Sequence, residues 1–297
     1  NLTCGKDFYL SFCPERTIEG NALEELKTNP QIVGGYDEIS AELSMQFFNS
    51  FNSSTIKVKN LEHAELCKLI DNSFRDHKFS FINQFLEFCE RTKINLYDVV
   101  KAVNYGYSRN NVPIPSPGVG GTCLTKDPYI IRQNFKKLKI KNNLFDNVRK
   151  INKSATSHLF NILKKKLKYV GKDLNKSKIF LIGMAFKGYP ETSDLRESTS
   201  IDFYKMLPKK SNIYVYDPVI SFKELNKYNF KTLSLESGFK KCDVVVFLNN
   251  HKSYASLDLD KFILKRKKII LLDAWKNFNP NELKKISHII YGGLGID

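Results

Sequence analysis

Between Pro117 and Pro128 the sequence reads Pro-Gly-Val-Gly-Gly-Thr-Cys-Leu-Thr-Lys-Asp-Pro. Three glycines fall within four positions, and a thiol, a cation and a carboxylate follow them. Glycine accepts positive φ and lets a backbone approach a ligand closely, and successive amides can cradle an anion or a sugar. Lys126 lies three residues beyond Cys123, and a nearby cation favours the thiolate, the nucleophilic form. Such a set suits covalent catalysis. A Gly-rich turn before a packed, inert cysteine has the same composition, so the loop alone leaves both readings open.

Other chemistry-bearing residues sit where α/β folds place ligand contacts. Glu15 follows the expected strand Phe8–Phe12, in a loop running from Cys13 to Gly20. Lys68, Asn72 and Arg75 recur at i, i+4 and i+7, so a helix projects all three from one face. Cations at this spacing also suit a solvated face. Gly183-Met184-Ala185-Phe186-Lys187-Gly188 leaves the end of an expected strand, a common place for anions.

The elements that must position these groups follow from periodicity. Gln31–Gly35 and Ile56–Val58 read as strands and Ser40–Asn52 as a helix, with Leu43, Phe47 and Phe51 at i, i+4 spacing. Leu61–Lys93 is one helical pattern free of Pro and Gly, with Ala64, Cys67, Ile70, Phe74 and Phe81 on its apolar side. A shorter helix spans Leu96–Val103. Pro113, Pro115 and Pro117 stiffen the approach to the glycine loop by fixing φ. Asp127-Pro128 reads as a helix start, with Asp at the N-cap and Pro at N1. A basic helix is expected over 143–170. From Ser177 the texture turns to βαβ, with continuous apolar strands near 178–183, 212–216, 243–248 and 268–273, as a parallel sheet requires; 287–291 closes it. A helix is expected over Arg196–Leu207.

Four segments, in this order, resemble the UDP-glucose / UDP-N-acetylhexosamine 6-dehydrogenase family: Pro14-Glu15 to Gly20, Glu65 to Arg75, Gly118 to Asp127, and Gly183 to Ser198. The resemblance covers nearly the whole chain. It implies an α/β fold in which a C-terminal Rossmann-like parallel-sheet domain (177–297) and a linking helix (143–176) follow a helical central, dimerising domain (59–142). Residues 1–58 would be the remnant of an N-terminal NAD-binding Rossmann domain. No Gly-x-Gly-x-x-Gly opening a strand–turn–helix occurs. The chain therefore reads as a fragment lacking most of that domain, and is expected to be inactive alone.

The resemblance also implies roles. Cys123 would hold the substrate carbon as a thioester. Lys68 would stabilise an oxyanion, Asn72 and Asp127 a water or hydroxyl, and Glu15 the sugar or hydrolytic water. Gly118, Gly120, Gly121, Phe186 and Lys187 would contact substrate, and Arg109 would cross a subunit boundary to do so. Glu19, Lys126 and Arg196 would face the cofactor, NAD. The implied reaction oxidises the C6 alcohol of a UDP-sugar to a carboxylate in two hydride transfers, for polysaccharide synthesis. Two departures stand out: Gln84 occupies a usual Glu, and Asp273-Ala274-Trp275-Lys276 lacks an expected Arg, whose place Trp275 or Lys276 could take. Glucose and N-acetylhexosamine both remain open as the sugar.

Composition narrows the alternatives. The net charge is +16 over 297 residues. Fifteen Lys/Arg against two acids between Arg132 and Lys178 account for most of it. Without a nucleic-acid motif or interleaved aromatics, this reads as a solvated Lys-rich face rather than a phosphate-backbone site; a non-catalytic nucleotide-sugar-binding module is the other alternative. No apolar run approaches the roughly 18 residues of a membrane span. The six cysteines lack metal-ligand spacing. No metal and no membrane are expected, and reduced thiols fit a cytoplasmic homodimer.

Overall fold

The computed structural model describes every residue except 53, 142, 264–267, 284 and 297. The expected boundary at 142 therefore lies outside the described residues. Two sheets frame the chain. The smaller contains β1 (Ser11–Phe12), β2 (Gln31–Gly35) and β3 (Thr55–Val58), with β1 antiparallel and β3 parallel to β2. Between them run α1 (Ala22–Thr28), which periodicity did not suggest, and α2 (Glu38–Asn49), capped by the Asp37 side chain on Ser40 N. Only Ser11–Phe12 of the expected first strand pairs; Phe8 instead bridges Cys4 in a tight turn.

The larger sheet is wholly parallel, in the order β5-β4-β6-β7-β8. Its strands are β4 (Lys178–Ile182), β5 (Asn212–Tyr216), β6 (Val244–Phe247), β7 (Ile269–Asp273) and β8 (Ile289–Gly293). Alternation sorts the apolar residues onto two faces. Ile179, Leu181, Val244, Val246, Ile270 and Leu272 join one core; Phe180, Ile182, Val245, Phe247, Ile269 and Leu271 join the other. A parallel sheet buried on both faces needs such runs, which is why these strands were legible.

The helical part comprises α3 (Leu61–Asn83), α4 (Phe85–Thr92), α5 (Leu96–Asn104), α6 (Thr122–Lys137) and α7 (Phe145–Tyr169). Leu159, Leu163 and Leu167 of α7 share one core with the sheet and with Ile82, Leu86 and Val100 of the preceding helices. Beyond β4, α8 (Thr199–Met206) packs on α7.

Three helical expectations need correction. The single helix over Leu61–Lys93 is two, joined at Gln84, and the second ends on Lys93 at φ 58°. The apolar side assigned to α3 is largely exposed: Ile70, Phe74 and Phe81 face outward. The buried side instead carries Asn72, Ser73, Asp76, Ser80 and Asn83, because it packs on α6 and α7 through hydrogen bonds. Finally, α6 begins at Thr122, with Gly121 at its N-cap, so Asp127 is not an N-cap and Pro128 lies inside the helix.

Candidate active site around Cys123

The glycine loop is clamped between α7 and the segment leaving β4. Gly118, at φ 114°, would bring a Cβ within 2.6 Å of the Asn152 carbonyl; Gly120 would meet the Glu197 carbonyl at the same distance. The amide of Gly121 donates to the Glu197 carbonyl at 3.2 Å, and the Phe186 ring covers Gly121. These glycines thus admit the protein's own backbone as well as any ligand. Gly121 has φ 85° and ψ 146°, an extended positive-φ region nearly confined to glycine that costs other residues about 1–3 kcal/mol, and an added Cβ would lie 2.8 Å from the Phe186 ring. Gly121→Ala is therefore expected to destabilise by about 1–3 kcal/mol, read as a lower thermal midpoint; an unchanged midpoint would show that the loop relaxes freely.

Cys123 occupies the first turn of α6 and is exposed, whereas Cys89 and Cys242 are buried. Arg196 lies within electrostatic reach. Its guanidinium is held above its ordinary range by a hydrogen-bonded pair with Asp194, at 2.7 and 3.0 Å, with smaller contributions from Glu19 and Cys123. One turn beyond Cys123, Asp127 is buried. Lys126 Nζ sits 3.1 Å from its Oδ1, and Asn72 Nδ2 donates to its Oδ2. Arg75 Nη2 donates to Asn72 Oδ1, so the amide's orientation is fixed from both ends.

Lys68, one turn earlier on α3, donates to the Glu15 main-chain carbonyl and lies 3.3 Å from Glu15 Oε2. Partial burial pushes the Glu15 carboxyl upward, but hydrogen bonds from Thr17 and the charge of Lys68 outweigh it and hold it below the usual range. Four residues on, Glu19 Oε1 accepts from Thr192 Oγ1 at 2.6 Å, and Lys187 Nζ donates to the Glu19 carbonyl. Burial lowers the Lys187 ammonium, opposed by Glu19 and Glu25 and aided by Arg75. The Cys13–Gly20 loop therefore fastens α3 on one side to the segment after β4 on the other.

Several of the residues singled out in the sequence are linked in this way: Glu15 with Lys68, Asn72 with Asp127 and Lys126, and Glu19 with Lys187; Arg196 pairs with Asp194. Arg109 stands apart. It stacks over Tyr107 at 4.7 Å and lines a separate groove of about 480 Å³ with Phe74, Phe81 and Val148. The Trp275 indole donates to the Leu248 carbonyl, and Lys276 reaches Asp98 of α5; both are engaged within the fold. Sequence reasoning gave no role to Arg75, Thr192 or Asp194; Thr192 meets a partner far along the chain, Glu19, whereas Arg75 and Asp194 bond near neighbours, Asn72 and Arg196.

A groove of about 740 Å³ runs along α6, lined by Thr122, Lys126, Tyr129, Gln133 and Glu197 among others. Exposed Lys126 and Arg196 give this side cations suited to a pyrophosphate. No phosphate-cradling glycine turn of the dinucleotide type occurs in the sequence. Among the described residues no helix is long and apolar enough to cross a membrane.

Comparison with known proteins gives matches along most of the chain. The model of the UDP-glucose/GDP-mannose dehydrogenase family central domain matches residues 62–154, and that of the same family's UDP binding domain matches residues 180–280. A UDP-N-acetyl-D-mannosamine dehydrogenase of Campylobacter jejuni is 33% identical over 268 residues, 88% of this chain and 63% of the relative. One from Methanococcus vannielii is 30% identical over 284 residues, 94% of this chain and 63% of its own length. Among solved structures, a UDP-D-ManNAc dehydrogenase from Pyrococcus horikoshii matches with a TM-score of 0.85 at 27% identity, over 98% of this chain and 66% of that one. An NDP-N-acetyl-D-galactosaminuronic acid dehydrogenase from Methanosarcina mazei Go1 gives 0.85 at 28%, over 100% and 64%. The chain thus spans under two thirds of the length of these relatives.

Proposed function

Because the chain belongs to the UDP-glucose/GDP-mannose dehydrogenase family, we propose that it supplies the thiol and the UDP-binding side of an NAD-dependent UDP-sugar 6-dehydrogenase. The relatives' names favour a UDP-N-acetylhexosamine over UDP-glucose. The observation that carries the proposal is the exposed Cys123 at the start of α6, with the Asn72–Asp127 pair one turn away. Two molecules of NAD, bound in turn, would each accept one hydride. The chain's own residues do the rest. After the C6 alcohol has lost a hydride and a proton, the Cys123 thiolate adds to the aldehyde carbon. The resulting thiohemiacetal loses a second hydride and proton to give a thioester on Sγ. Water held by Asn72 and Asp127 attacks that carbon and releases the thiol and the uronic acid. Lys68, fixed by Glu15, offsets negative charge developing on oxygen.

The same reading divides the chain near residues 58, 142 and 176 and sets the UDP moiety against the segment after β4. It puts a second copy of the chain on the outer face of α3 and α4, where Phe74, Phe81, Phe85 and Phe88 are exposed. Arg109, in the adjoining groove, would then face the neighbour's substrate. All six cysteines are free, consistent with a cytoplasmic setting.

Calorimetry with UDP tests the nucleotide side on the 297 residues themselves. Lys187→Ala removes a charged donor, a loss of about 1.5–3 kcal/mol if it meets a phosphate, and is expected to weaken UDP binding about tenfold or more. No heat of binding, or equal affinity in the variant, argues against Lys187 as the phosphate contact.

A further inference from the structure

Pro128 lies inside α6 and has no N–H to offer the Leu124 carbonyl four residues earlier. That carbonyl, on the residue next to Cys123, instead accepts from Arg149 Nη1 of α7 at 3.4 Å. The same Nη1 lies 2.7 Å from Asp76 Oδ1 of α3. Both side chains are buried, Asp76 fully and Arg149 at 4% exposure. Asn152 Nδ2 binds Asp76 Oδ1 at 2.7 Å, and Asn152 Oδ1 accepts from Asn83 Nδ2 at 3.3 Å. Asn83 Oδ1 in turn accepts from Ser116 N at 3.1 Å. One buried network therefore ends on both flanks of the Cys123 loop, at Ser116 and at Leu124.

As a device for stability alone this pair is poor. Asp76 Oδ2 and Arg149 Nε find no protein partner among the described residues, and a buried ion pair incompletely satisfied is often no better than an apolar replacement. Its distinctive contact is with the helix turn that Pro128 leaves open. We propose that Asp76 and Arg149 are positioning residues for Cys123: they complete the proline-interrupted start of α6 and so set the orientation and reactivity of its thiol. Neither touches the thiol. The proposal rests on Cys123 being the reacting thiol, but its test does not need the reaction.

The test is the rate of Cys123 alkylation by iodoacetamide in the 297-residue chain, followed by peptide mass spectrometry with Cys4 and Cys13 as internal references. Asp76→Asn/Arg149→Met keeps the network neutral but leaves the Leu124 carbonyl bare. Losing one hydrogen bond should slow Cys123 about fivefold and leave the references unchanged. Adding Pro128→Ala supplies the missing N–H and should restore the rate to within about twofold of the parent, as one recovered bond implies. Arg149→Lys, which keeps a charge for Asp76 but places its nitrogen one atom nearer the backbone than Nη1 and so gives up the longer contact to Leu124, should slow Cys123 similarly and covers the case in which the double variant does not fold. In either variant an unchanged rate, or a slowed rate that Pro128→Ala fails to restore, overturns the proposal. Dehydrogenase activity insensitive to loss of the Cys123 thiol would instead overturn the function while leaving these rates as they are.

Discussion

Cys123→Ser should abolish uronic acid formation almost completely when the 297 residues are assayed joined to a dinucleotide-binding domain. Serine keeps the shape of the side chain at the start of α6, where Cys123 is exposed, so the fold should survive with little change. A hydroxyl, however, is far harder to ionise than a thiol and is the poorer nucleophile. The first oxidation needs only a base and a hydride acceptor and can continue slowly. The second needs the covalent adduct, or else a hydrated aldehyde or a sluggish ester. The loss should exceed about 100-fold, or about 2.7 kcal/mol of barrier. Intact mass spectrometry of the parent protein should trap a sugar adduct on residue 123. Near-parental product formation by the serine variant would return Cys123 to an ordinary surface thiol.

How much of this site the sequence discloses depends on the range of each interaction. The Cys123 loop is legible because its glycines, thiol, cation and carboxylate are contiguous. Lys68, Asn72 and Arg75 are placed on one side of α3 by helical spacing, and all three line one groove. The strands of the parallel sheet are legible because burial on both faces demands unbroken apolar runs. What fails is anything decided by a distant partner. The inward side of α3 is polar, and periodicity alone cannot separate a buried hydrogen-bonded side from a solvated one. The apolar side that the pattern marks, with Phe74 and Phe81, is instead exposed. Asp127-Pro128 imitates a helix start, since nothing local reveals that Arg149 serves the carbonyl which Pro128 leaves unpaired. The three glycines, read as a cradle for a ligand, also accommodate the Asn152 and Glu197 carbonyls.

Removing Arg149 alone should expose the cost of that hidden network. Arg149→Met leaves Asp76 buried, with Asn152 still bonded to it but no cation, and breaking a buried pair from one side costs about 3–5 kcal/mol. The penalty should depend on pH in a defined direction. In the parent protein burial already raises the Asp76 carboxyl above its ordinary value; the charge of Arg149 and hydrogen bonds from Asn152 and Arg149 oppose that rise. Without Arg149 the carboxyl rises further, so the native state binds a proton more tightly than the unfolded chain does. Stability is then retained below the unfolded carboxyl value, about 3.9, and falls as pH rises through the folded one. Arg149→Met should therefore lie closest to the parent near pH 4, and furthest below it near neutrality. Adding Asp76→Asn, which cannot ionise, should flatten this dependence and recover most of the neutral-pH loss. Urea unfolding midpoints at the two pH values decide the matter: an equal deficit at both would mean that the buried carboxylate is not what Arg149 neutralises.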